Sequence, residues 1–380
     1  MRIAASAGRL ADALALAALA LDNRVKVAIL HAVHIRAADG VARLTVNSMD
    51  RAITVTVQAE AVEPGDAAIR AAALAGMAAG FPKDSAIEIE ASGHRAQVRC
   101  AQAAYRLPVM PIEDLPEVAA IDVVTGEAEL AREDLLAAIK QVTFAAATEA
   151  TRFYLNGILL HDEGSQLAAV ATDARRLAKC RIPSAPFSQD LTCIVPLATI
   201  DPIVKLLGKS KAERVKLRRS KSLVEITAPE FAITSPLIDA VFPDYRRVIP
   251  AAPDNGATVD RADLVAALAR LAAVATTERK IATLAGLEWS PAEPALRLSL
   301  PNETGVAADI IPATIAGSAP VRTAAQLAHV TELAKELHGE SVCIASNGND
   351  NHILVTDPDS DAVLVVQMPC AVPGQSSQAA

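Results

Sequence analysis

Aromatic side chains are scarce in this 380-residue chain: Phe, Tyr and Trp together make up 3% of it, with a single Trp. The chain is nonetheless 52% hydrophobic, so its cores must be built from Ala, Leu, Val and Ile. Long apolar runs are also missing. The longest stretch of that kind, Ala13 to Leu21, lies between Asp12 and Asp22 and is far shorter than the roughly 20 residues that cross a bilayer. A secretory signal is disfavoured because Arg9 and Asp12 interrupt its apolar core and no small-residue cleavage site follows. Cysteine is sparse too. Cys100, Cys180, Cys193, Cys343 and Cys370 are odd in number, far apart and without a Cys-x-x-Cys pair. That pattern excludes a disulfide framework and points to free thiols in a reducing, cytoplasmic setting.

Excess positive charge is lacking, since the formal net charge is −8. At face value this argues against nucleic acid, but the charge is uneven. Residues 1–126 carry 12 basic and 14 acidic side chains, residues 127–254 carry 17 and 16, and residues 255–380 carry 7 and 14. A local basic surface can therefore exist on an acidic protein. The one dense basic run lies between Lys205 and Lys221, and a solvated helix end plus a strand face explains it at least as well as a binding patch.

Catalytic signatures are missing as well. Gly208-Lys209-Ser210 resembles the end of a phosphate loop, but position 203 is Ile203 where that motif requires glycine, and the run leaves a helix instead of entering one. His31 and His34 would point to opposite faces of a strand, and the other five histidines are scattered, so no metal site is expected. Asn302-Glu303-Thr304 is a glycosylation sequon without meaning in a cytoplasmic protein. No nucleophile elbow or paired-carboxylate arrangement is present, so the sequence predicts no catalytic residue, metal or cofactor.

What the chain does contain is internal repetition. A helical run opens at Arg9-Leu10-Ala11-Asp12-Ala13-Leu14, recurs from Asp134 to Ile139, and recurs again from Asp263 to Leu268, with offsets of 125 and 129 residues. A second helical run is expected to begin near Ile69, Val195 and Val321, offset by 126 both times. The period is that of a whole domain, not of a solenoid. Alternating segments between the helices, such as Val41–Val46, Ala86–Glu90, Leu167–Ala171, Val224–Ile226, Leu296–Leu300 and Ile353–Val355, read as strands. The copies also close alike, at Asp114-Leu115-Pro116, at Phe242-Pro243-Asp244-Tyr245, and at Val366-Gln367-Met368-Pro369. The pattern predicts an α+β protein of three tandem copies, at 1–126, 127–254 and 255–370, with a flexible tail at 371–380. Linkers are expected near 119–130 and 250–260, the second marked by Pro250, Pro253 and Gly256.

Three segments carry a resemblance: Phe153-Tyr154-Leu155-Asn156-Gly157, Ala171-Thr172-Asp173-Ala174-Arg175-Arg176-Leu177-Ala178, and Phe242 to Pro250, with the closing Met368-Pro369 as a fourth. Together they resemble the bacterial beta sliding clamp, the processivity subunit of replicative DNA polymerase. The resemblance implies clamp domains of two helices packed on antiparallel sheets, two subunits closing head to tail into a ring of six domains, and duplex DNA threaded through without sequence readout. It implies a homodimer, a non-catalytic role, and a cleft between the second and third domains for short linear peptides of polymerase subunits, the clamp loader and repair proteins. Carried over by motif, that cleft involves Leu155, Thr172, Ala174, Arg175, Arg176 and Leu177, then Pro243, Arg247 and Val248, and finally Val366, Met368, Pro369 and Cys370. Leu, Val and Met would form an apolar socket, and the arginines a polar rim.

The resemblance also implies that Arg24, Phe153 and Tyr154 touch DNA, and that Tyr105 and Leu107 meet Val274 and Ala275 of the other subunit. Departures accompany it. The family usually has Gly then His where Ala174 and Arg175 stand. Cys370 replaces a larger apolar residue, and His352 aligns only loosely with a small polar cleft position. Glu149 takes the place of a neutral polar residue, and Leu197-Ala198 that of a basic pair. Asn47-Ser48-Met49-Asp50 takes the place of an acidic motif, and Val27–Leu30 lacks a proline. These departures leave open a divergent clamp paralogue that binds partners without loading onto DNA. An enzyme on a duplicated scaffold is the remaining alternative, without a motif behind it.

Overall fold

The computed structural model describes all residues except 23, 60, 165, 184–187, 276–282, 303–304, 349–350 and 371–380, and the side chains of 61–62, 188–189, 301–302 and 305–306. The expected tail, most of the sequon and the residues just after Ala275 thus lie outside the described residues. The chain forms two compact units: Met1–Leu136 with Pro183–Asp239, and Ala137–Ile182 with Ala240–Ala380.

In the first unit, fourteen described strands form one antiparallel sheet. Its register follows the sequence alternation. In Val41–Asn47 the residues Ala42, Leu44 and Val46 are buried, and this strand pairs with Ala52–Gln58 from Val41 opposite Gln58 to Asn47 opposite Ala52. Helix α1 (Ala7–Ala17) starts at Ser6, whose Oγ accepts from the Arg9 amide at 3.3 Å, a side-chain cap. It buries Leu10, Ala13, Leu14 and Ala17 and packs on α2 (Ala71–Ala79), which buries Ala71, Leu74 and Ala78. Small residues at that contact let the two helices approach closely, as the scarcity of aromatics demands.

Helix α3 spans Arg132–Thr143 and α4 spans Leu197–Lys209, running through Gly208. Pro202 lies inside α4 and has no N–H for the Ala198 carbonyl. The Arg51 guanidinium donates to that carbonyl instead.

In the second unit one antiparallel sheet includes Gly157–Glu163, Gln166–Thr172, Arg176–Ile182, Ser360–Gln367, Ile353–Asp357 and Ser341–Ala345 in that order. A four-stranded sheet contains Leu284–Ser290, Glu293–Asn302, Gly305–Pro312 and Val321–Gln326. Helices α5 (Arg261–Ala275) and α6 (Leu327–Glu336) pack together.

The repeat is visible in the helix starts. The first helices begin at Ala7, Arg132 and Arg261. The second begin at Ala71, Leu197 and Leu327, offset by 126 and 130. The expected start near Val321 is therefore corrected: Val321–Gln326 is a strand paired with Leu284–Trp289. Ile69 and Val195 likewise sit in the strands that lead into α2 and α4. The expected linkers also end earlier, because Gly126–Ala131 and Gly256–Asp260 are strands. Much of the basic run is held in ion pairs: Lys205 with Asp201, Arg214 with Glu129, Lys216 with Glu127, and Arg218 with Glu225.

Candidate functional site

The turn between strands Gln166–Thr172 and Arg176–Ile182 is the foundation of the site. Thr172 Oγ1 donates to the Arg176 carbonyl at 2.7 Å and accepts from the Ala174 amide at 3.1 Å. Asp173 Oδ1 accepts from the amides of Arg175 and Arg176 at 2.8 and 2.9 Å. Such side-chain-to-backbone bonds are why Thr and Asp favour turns. They hold Ala174 at φ 68°, a left-handed conformation that disfavours any residue with a Cβ. Arg176 is a support and not a rim cation. Its guanidinium bonds Asp173 at 3.1 Å and Glu332 at 2.6 Å and lies 5.4 Å from the Phe144 ring centre.

Two further segments close on this turn. In the C-terminal strand Leu177 pairs with Val366, and the Met368 amide then donates to the Arg175 carbonyl at 2.9 Å. The short 3-10 turn Tyr245–Val248 supplies the third wall. Tyr245 is buried, and its hydroxyl donates to His161 Nε2 at 2.8 Å. His161 Nδ1 faces the Asp162 carbonyl at 2.8 Å, so the neutral ring carries its proton on Nδ1. Burial lowers the His161 pKa and pushes Tyr245 up to about 12, which keeps both neutral.

The result is a pocket of about 200 Å³ contained within the second unit. Leu155, Leu177, Val366 and Tyr245 are its buried interior, while Met368, Val248 and Pro243 are exposed at its mouth. Thr172, Ala174 and Arg176 complete the turn side. Nine of the thirteen expected cleft residues thus line one pocket.

Four do not. Arg175 contributes its carbonyl to the frame while its side chain is exposed outside the lining. Arg247 is turned to Asp244 at 3.3 Å. Pro369 and Cys370 lie past the pocket, with the Cys370 amide donating to the Ala324 carbonyl at 2.7 Å. Two lining residues are additional: Asp244 and Tyr245. Both belong to the Phe242–Pro250 motif, and membership of that motif is the signal the sequence offers.

The other expected positions are placed as follows. Arg24 is exposed but held by Asp22 at 2.8 Å, and hydrogen bonds from Arg24 pull the Asp22 pKa down to about 2. Phe153 is exposed and meets Tyr154 edge-on, with ring centres 5.9 Å apart. Glu149 pairs with Arg152 at 3.0 Å. Tyr105 and Leu107 lie on strand Ala103–Met110, which pairs with Arg95–Cys100 on one side. On its other side only Val109 and Met110 are paired among the described residues. Tyr105 is exposed, as is Val274 at the end of α5. Ala275 lines a depression with Ala272 and Leu327. Among the described residues, no group of three or more His, Cys, Asp or Glu side chains is placed to hold a metal. His34 faces Asp66 at 2.9 Å, and His31 Nε2 lies 2.8 Å from the Val25 carbonyl.

The chain is 28% identical over 354 residues to the beta sliding clamp of Escherichia coli K12, covering 92% of this chain and 94% of that one. It is 34% identical over 218 residues to the Pseudomonas aeruginosa beta sliding clamp, covering 56% and 58%. The crystal structure of the Pseudomonas aeruginosa sliding clamp (DNA polymerase III subunit beta) bound to griselimycin superimposes with a TM-score of 0.90 at 25% identity, covering 98% of this chain and 100% of that one. The model of the N-terminal domain of the DNA polymerase III beta subunit matches residues 1–119, and that of its central domain matches 129–244. With both domain models in sequence order and the fold shared end to end, the chain belongs to the bacterial beta sliding clamp family.

Proposed function

We propose that this DNA sliding clamp receives its polymerase partners through the pocket between Ala174, Tyr245 and Met368. Clamps of this family are non-enzymatic processivity factors. The reading here assigns clamp domains to 1–126, 127–254 and 255–370, and a head-to-tail homodimer whose contact joins Tyr105 and Leu107 to Val274 and Ala275 of the partner subunit. Duplex DNA would pass Arg24, Phe153 and Tyr154. Polymerase subunits, the clamp loader and repair proteins would each dock a short linear peptide, in the cytoplasm. No described helix is long and apolar enough to cross a membrane.

The observation that carries the reading is the pocket itself. At about 200 Å³ it is smaller than the roughly 300–1,000 Å³ of sites for drug-sized ligands, so it suits one or two anchor side chains of a peptide. Its lining is apolar inside, with Arg176 already paired. Exposed Met368 can adapt to anchors of different shape.

Replacing Leu177 and Met368 together by Ala removes one interior and one mouth contact. Affinity for a clamp-binding peptide should fall at least tenfold in fluorescence anisotropy, while sedimentation still reports the dimer. Burial of Leu177 makes a stability cost of about 2–4 kcal/mol expected, so Met368→Ala alone serves as the milder control. Undiminished affinity in both variants would exclude this pocket as the docking site.

A further inference from the structure

The turn that founds the cleft is built a second time, in the first unit. Asn47 Oδ1 accepts from the Met49 amide at 2.9 Å, as Thr172 Oγ1 does from Ala174. The Ser48 amide donates to the Arg51 carbonyl at 3.0 Å, as Asp173 does to Arg176 at 3.3 Å. Met49 is left-handed at φ 74°, beside 68° for Ala174. Across the sheet Ala52 pairs with Thr234, as Leu177 pairs with Val366. The third wall repeats as well: Leu115-Pro116-Glu117 stands where Phe242-Pro243-Asp244 stands in the cleft. Asn47 Nδ2 donates to the carbonyls of Pro116 and Glu117 at 3.2 and 3.0 Å, tying that wall to the turn.

These equivalent residues enclose a groove of about 270 Å³ lying wholly within the first unit. It is rigidly framed. Arg51 is locked onto the Ala198 carbonyl that Pro202 leaves unbonded, and Ser235 Oγ lies 2.8 Å from Thr199 Oγ1. Met49 stands at the mouth with 71% of its surface exposed. A large apolar side chain held outward in a disfavoured backbone conformation costs stability on both counts, and a bound peptide would cover it.

We propose that this groove is a second docking site for an extended linear peptide, one carrying an aromatic anchor. The inference rests on the peptide-docking reading of the first cleft, whose frame it repeats. The anchor class follows from the substitutions: Ala52 in place of Leu177 widens the interior, and no buried tyrosine corresponding to Tyr245 fills it. Thr234, where the first cleft has Val366, makes the floor more polar. The two sites would therefore bind the same aromatic-anchored peptide with different affinities, and one partner carrying two such motifs would bridge them with an affinity gain from effective concentration.

Methionine is sparse enough to report on both sites at once. The chain has five, among them Met49 at the groove and Met368 at the cleft. The full-length protein, labelled with ¹³C at its methionine methyls, is titrated by NMR with an acetylated octapeptide of Ser and Gln around a central Leu–Phe pair. The expected result is saturable shifts of both Met49 and Met368, with two peptides bound per chain. A shift of Met368 alone would overturn the second site and leave the first. A shift of Met49 alone would support the groove and overturn the cleft reading, and no shift at either would overturn both. In Ala52→Leu the Met49 response should weaken at least tenfold while that of Met368 is unchanged; an unaltered Met49 response would overturn the proposal. A peptide with Ala–Ala in place of Leu–Phe should move neither methyl, and a Met49 shift with it would count against anchor recognition.

Discussion

At the scale of single residues, Ala174 is the most telling position. Its left-handed backbone is imposed by the bonds that Thr172 and Asp173 make around it, and a Cβ there costs about 1–2 kcal/mol. Ala174→Gly relieves that strain, offset in part by about 0.4–1 kcal/mol of added unfolded-state entropy. We expect Tm to rise by about 1–3 °C on calorimetry; a fall in Tm would show that the turn is not strained. His161 gives a second residue-scale expectation. Its folded pKa lies below the ordinary value because burial disfavours the charged ring. Its stabilising contribution is therefore complete above about pH 6.5 and declines as pH drops from there through the folded pKa. Thermal melts from pH 7.5 to pH 5 should show falling Tm, with a shallower slope in His161→Gln. Equal slopes would remove His161 as the source.

At the scale of elements, the surfaces expected to meet DNA carry few free cations. Helix α2 has one arginine at its entry, Arg70, and α4 opens with Leu197-Ala198. In the loop after α1, Arg24 is tied to Asp22 through both carboxylate oxygens. A phosphate must displace that carboxylate before Arg24 can help, so the loop contributes less than a free arginine would. Asp22→Asn should strengthen duplex binding and steepen its dependence on log salt by about one. Anisotropy measured between 50 and 200 mM salt tests this, and an unchanged slope would mean that Arg24 does not contact phosphate. Strand Ala103–Met110 makes a complementary point. Most of one side is unpaired among the described residues, and its Tyr105 is exposed. An unpaired edge is a template for another strand, as a subunit contact requires.

At the scale of the molecule, a tether held by topology needs little affinity, and sparse cations on the elements expected to meet DNA are compatible with that. Incubation with a clamp loader, ATP and nicked circular DNA should leave the protein on the circle, and linearising the circle should release it. No retention, with a loader that works on its own clamp, would contradict ring closure around DNA by this chain. Internal duplication has consequences beyond the ring. The copies share a turn, a strand pairing and a Pro-acid wall, so the frame proposed for peptide docking is present again in the first unit. Divergence at Ala52 and Thr234 changes what that second frame can hold without removing it.

Much of this was legible in the sequence because it is set locally. Helix-period runs at Arg9, Asp134 and Asp263, alternating strands and Pro-containing closures all depend on neighbours within a few residues and point to three copies, while the expected cleft residues come from the resemblance of the motif segments to the clamp family. The third second helix starts six residues beyond the expected Val321, because Val321–Gln326 takes its conformation from pairing with Leu284–Trp289, a partner distant in sequence. The arginines show the same limit. Residue type suggests a polar rim, but Arg176 is drawn inward by Asp173, Glu332 and Phe144, and Arg247 outward by Asp244. Tyr245 is not among the expected cleft residues, because its inward position is fixed by a hydrogen bond to His161, 84 residues earlier. Sequence by itself determined the repeat and the fold class, because propensity and periodicity act over short range, and its motif segments pointed to the pocket through their resemblance to the clamp family. Only the tertiary structure decided which side chains line the pocket, which cations are free, and that a second groove shares its frame, because those depend on long-range pairing and burial.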